Sequence, residues 1–68
     1  MKYRLNVYKY LDVPKSIGQE LMTGSEQEAI DRAKSMLVES EGDVVVVSVV
    51  TNGETRVIHR FEKVKKAS

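Results

Sequence analysis

The side chains able to do chemistry in this 68-residue chain are few: His59 is the only imidazole and there is no cysteine. Nucleophilic catalysis needs a hydroxyl or thiol with a base beside it and a third group to orient the base. Ser48 shares a predicted strand face with His59, two positions along from the residue opposite it, Val46, and no third group completes a triad. A lone strand histidine is better read as a packed or partly exposed structural residue. The acids that could act in pairs are Glu26 with Glu28, and Glu39 with Glu41 and Asp43. Helix capping accounts for the first pair and a polar helix end for the rest. Glu39, Glu41 and Asp43 could hold a divalent cation weakly, but without the spacing of a calcium loop. One histidine and no cysteine leave too few nitrogen or sulfur ligands for a structural zinc. Gly18, Gly24, Gly42 and Gly53 are scattered as turn and cap residues, and no glycine-rich phosphate loop enters a helix. The expectation is a chain with no enzymatic activity: no catalytic residue, metal or cofactor.

Nucleic-acid recognition on an open sheet asks for aromatic platforms and backbone-contacting cations. Tyr8, Tyr10, Arg4, Arg56 and Arg60 provide both, with Lys63, Lys65 and Lys66 following. Against this stand a net charge of only +1 and an aliphatic centre of valine and isoleucine, which stacks poorly with bases and prefers another apolar surface.

These residues are positioned mainly by a hairpin. Asn52-Gly53 separates Val44–Val50 from Arg56–Phe61, and Asn-Gly between β-branched runs is the strongest short hairpin signal, because both turn residues of a type I′ turn need positive φ. An uninterrupted register from that turn pairs Thr51 with Glu54, Val50 with Thr55, Val49 with Arg56, Ser48 with Val57, Val47 with Ile58, Val46 with His59, Val45 with Arg60 and Val44 with Phe61. One face then carries Val44, Val46, Ser48, Val50, Thr55, Val57, His59 and Phe61. With the only phenylalanine and no formal charge, it is the expected core face. The other carries Val45, Val47, Val49 and Ile58, flanked by Glu54, Arg56 and Arg60.

Upstream, Lys2–Tyr10 alternates as a strand, with Tyr3, Leu5 and Val7 toward the core and Arg4, Asn6, Tyr8 and Tyr10 on the other side. Leu11 to Ser16 reads as a loop, because Pro14 lacks a ladder donor and pushes Val13 toward an extended conformation. Residues 16–22 read as an edge strand weakened by Gly18. Ser25-Glu26-Gln27-Glu28 is a capping box. Ala29, Ile30, Ala33, Met36 and Leu37 then form one apolar helical stripe, and Gly42 is the expected left-handed cap.

The fold expected is α+β, in β-β-α-β-β order: an antiparallel sheet of three to four strands with one helix packed on one face. Residues 1–62 make one domain and 63–68 a basic, disordered tail. A chain this small buries only ~60% of its unfolded surface, and without disulfide or zinc, association is the remaining common support. Size and the strand-helix-strand-strand portion resemble the dodecin flavoproteins, which are small oligomers. The tryptophan on which dodecins stack flavin is missing here, so the resemblance implies no residue role.

One helix cannot cover both faces of a sheet. The uncovered face is therefore the expected interface: Val45, Val47, Val49, Ile58, Arg56 and Arg60, joined by Tyr8 and Tyr10. The function expected is a small homo-oligomerisation or protein-interaction module. Binding of single-stranded nucleic acid through the same face is the alternative. No apolar run is long enough to span a bilayer and the amino terminus lacks a secretory core, so no membrane partner and a cytoplasmic location are expected.

Overall fold

The computed structural model describes residues 1–63; residues 64–68, which hold all but Lys63 of the expected basic tail, lie outside it. The elements run β1 (Lys2–Tyr10), β2 (Pro14–Thr23), α1 (Glu26–Glu39), β3 (Val44–Thr51) and β4 (Glu54–Glu62). All neighbouring strands are antiparallel and the sheet order is β2-β1-β3-β4. This is the α+β architecture that the patterning predicts, with all four strands in one sheet. β2 begins at Pro14, earlier than Ser16, because an edge strand tolerates the missing donor at its first residue.

Helix α1 starts where the capping box puts it. The Glu28 amide donates to Ser25 Oγ at 3.1 Å, and the Ser25 amide donates to Glu28 Oε1 at 3.2 Å. Its buried residues Ala29, Ala33 and Leu37 lie against β1 and β3, the two central strands. Two alanines allow a close approach, and the helix seals Tyr3, Leu5, Val7, Val45 and Val47, with Met22, Met36, Val49, Ile58 and Phe61 half-buried at the margins. Leu5, Val45 and Val47 have no exposed surface; burial of such side chains contributes ~1.5–3 kcal/mol each. The helix ends at Ser40, which is extended, and Gly42 is not among the positive-φ residues Gly24, Asn52 and Gly53. Gly42 is therefore not the left-handed cap. It is glycine because a Cβ would stand 2.1 Å from Val7 Cγ1.

The hairpin turn has the two positive φ values that Asn-Gly implies, 45° at Asn52 and 83° at Gly53. The pairings nearest the turn follow the expected register as far as Ser48 with Val57. There the ladder slips. Val47 faces His59, Val46 faces Arg60, Val45 faces Phe61 and Val44 faces Glu62, leaving Ile58 as the extra residue of a β-bulge. Strand β4 thereby changes phase, and His59 and Phe61 join Val45 and Val47 under the helix. A second slip in β2 leaves Ile17 unpaired between Gly18 and Ser16.

Candidate functional site

The bulge inverts the expected faces of β3. Val45, Val47 and Val49 lie on the helix side, opposite Val7, Leu5 and Tyr3 of β1. They are core and not an exposed strip. Arg56 faces Val49 and shares that side, and Ile58 packs against the core margin. Of the expected interface residues, Tyr8, Tyr10 and Arg60 do lie on the uncovered face. Val44, Val46, Ser48 and Val50, expected in the core, share it.

Register places Lys2, Arg4, Asn6, Tyr8 and Tyr10 from β1 on this open face, with Leu21 and Gln19 from β2 and Thr55, Val57, Arg60 and Glu62 from β4. It has two ends of different character. Tyr8, Tyr10, Pro14, Val44, Val46, Val57 and Arg60 line an open depression of about 350 Å³ that crosses all four strands. Val57 is 61% exposed, whereas its neighbours shield Val44 almost completely. Arg60 donates both to Glu62 and to the Tyr10 hydroxyl, which fixes one wall of the depression. Those bonds also hold the Arg60 guanidinium above its ordinary pKa, chiefly through Glu62. The other end is polar, with Arg4 across from Ser48, and Ser16 Oγ donating to Asn6 Oδ1 at 2.7 Å.

Strands β1 and β4 are tied together below the depression by Asp43. Its amide donates to the Tyr8 carbonyl at 2.8 Å, its carboxylate accepts from the Tyr10 amide at 2.7 Å, and its carbonyl accepts from the Lys63 amide at 2.8 Å. The Asp43 carboxylate is thus used in closing the sheet, and no cluster of three or more His, Asp or Glu suited to a metal occurs among the described residues.

His59 lies on the opposite side of the sheet from Ser48, so the register rules out a contact between them. Its neighbours are Glu26, with Nε2 at 3.2 Å from Oε2, and the Phe61 ring, stacked at 5.8 Å with 13° between planes. Lys34 Nζ lies 5.3 Å from the centre of the same ring. The histidine links the first turn of α1 to β4.

Val44, Val46, Val57 and Pro14 escaped the sequence reading of the face. The reason is the bulge at Ile58, which shifts the phase of β4 from which the faces of β3 were inferred. No α-helix is long and apolar enough to cross a membrane among the described residues. Comparison with protein families, characterised proteins and solved structures gives no match, so the face itself carries the functional reading.

Proposed function

We propose that the chain is a small non-enzymatic interaction module that closes the apolar end of its open sheet face against a second copy of itself. The observation that carries this is the depression formed by Tyr8, Tyr10, Pro14, Val44, Val46, Val57 and Arg60, which no element among the described residues covers. An apolar face without a covering layer loses free energy to water, and sheet-on-sheet packing is a common way to bury it. The charged residues of the open face are Lys2, Arg4, Arg60 and Glu62. A two-fold axis over the depression sets apolar end on apolar end and keeps the Lys2 and Arg4 ends of the copies apart at opposite rims. Only part of one face is buried, so the pair belongs among small interfaces, below ~1,200 Å² in total, and its formation depends on concentration.

Sedimentation across ~1–100 μM, the concentration range of micromolar affinity, tests the reading. The unmodified chain is expected to pass from monomer to dimer, and Val57→Lys, at an exposed position, to stay monomeric while folded. A monomer throughout for the unmodified chain contradicts self-association.

A second reading is favoured by Tyr8, Tyr10, Arg4 and Arg60 sharing the open face. Single-stranded nucleic acid would stack its bases on the tyrosines, and each Tyr→Ala change would lose ~1 kcal/mol or more with a steep salt dependence. Fluorescence anisotropy with labelled oligonucleotides at two salt concentrations separates the readings. Binding that weakens with salt and is lost in Tyr8→Ala favours nucleic acid; no binding at low salt removes it.

A further inference from the structure

At the polar end of the open face, beside the apolar depression, Arg4 is a cation without a counter-charge among the described residues. Ser48 lies directly opposite it on β3 and Leu21 directly opposite on β2. The next positions on this face are Lys2 and Asn6 on β1, Gln19 and Thr23 on β2, and Val46 and Val50 on β3. None of these is acidic, and one is a second cation. The ion pairs among the described residues, Lys9–Glu41, Arg32–Glu20, His59–Glu26 and Arg60–Glu62, leave Arg4 out. Its Nε is fully screened from water and has no hydrogen-bond partner among the described residues.

A guanidinium nitrogen taken out of water with no acceptor is unfavourable, and packing that hides Nε also fixes the plane of the group. A fixed guanidinium presents its remaining N–H groups as a fork suited to two oxygens of one anion. Ser48 supplies a hydroxyl donor directly opposite, and Lys2 a flexible ammonium on the same face. We propose that Arg4, Ser48 and Lys2 form a binding site for an oxyanion of the phosphate class. Arg4 makes the forked contact, Ser48 donates one hydrogen bond, and Lys2 neutralises the second charge of a dianion. The phosphate belongs either to a free phosphate or nucleotide or to the backbone of a single strand. All three residues come from one chain, so the site does not need a second copy to form.

The test uses the full chain labelled with nitrogen-15. The Arg4 Nε–Hε signal, sheltered from water, is followed while inorganic phosphate is added at constant ionic strength. A saturable shift of that signal is expected, absent with chloride. Arg4→Lys should bind phosphate about tenfold more weakly, as judged by the neighbouring backbone amides, since it keeps the charge and loses the fork. Phosphate affinity should be the same at chain concentrations below and above the onset of self-association, which separates this site from the fate of the self-association reading. A short oligothymidylate that saturates the same signal at about a tenth of the phosphate concentration or less identifies a strand as the source; no such gain identifies phosphate alone. An Arg4 signal unmoved by both probes, or phosphate binding equally strong in Arg4→Lys, overturns the proposal.

Discussion

Gly42 shows what a single residue reveals only in three dimensions. Its position after a helix reads as a left-handed cap, yet what it requires is space: a Cβ would lie 2.1 Å from Val7 Cγ1 and 3.3 Å from the Tyr8 carbonyl oxygen. Gly42→Ala is therefore expected to cost ~1–3 kcal/mol by overpacking, seen as a lower urea midpoint, and an unchanged midpoint would contradict the close approach. Ser25 is the opposite case. Its partner Glu28 is three residues away, so the reciprocal bonds were legible in sequence, and Ser25→Ala should lose ~1 kcal/mol of stability in the same measurement. Residues whose partners are local were read correctly. Val7 against Gly42 and Glu26 against His59 are 35 and 33 positions apart, and no local pattern announces either pair.

At the scale of elements, the helix, the hairpin turn and the alternation of β1 were legible, because each rests on short-range rules of capping, turn dihedrals and period. The faces of β3 were not. Valine occupies both of its sides, so its own sequence holds no phase, and a phase borrowed from β4 fails once Ile58 is inserted. Tyr8, Tyr10 and Arg60 reached the correct face. Val45, Val47, Val49 and Arg56 did not, and Val47→Lys, a surface change by the uninterrupted register, places a charge at a site with no exposure. The bulge makes a differential prediction. Deleting Ile58 removes only the extra residue and keeps Phe61 opposite Val45, whereas deleting Arg60 turns Phe61 to the open side. Thermal unfolding should therefore show the Ile58 deletion to be the more stable of the two; the reverse order would contradict the assigned register.

For the whole molecule, one helix over two central strands leaves the edges to be held by polar contacts. Arg32 donates from Nε to Glu20 at 2.8 Å and so fastens α1 to the edge strand β2. The hydrogen bond from Arg32 lowers the Glu20 pKa below its ordinary value. A carboxylate with a lowered folded-state pKa adds stability above its unfolded pKa and loses it as pH falls through the folded value. The melting temperature of the unmodified chain should thus exceed that of Glu20→Gln at neutral pH, with the gap closing on acidification through the carboxylate range. A gap independent of pH would contradict the ion pair. Both partners are well exposed, so the effect is modest. No element among the described residues covers the opposite side of the sheet, and the central proposal is that its apolar end meets a second copy. The most direct measurement mixes isotope-labelled and unlabelled chains and records nuclear Overhauser effects between copies. Contacts are expected from the methyl groups of Val46 and Val57 to the rings of Tyr8 and Tyr10 in the other copy. Contacts between copies that arise only from α1, or none at concentrations where mass shows a dimer, would contradict it.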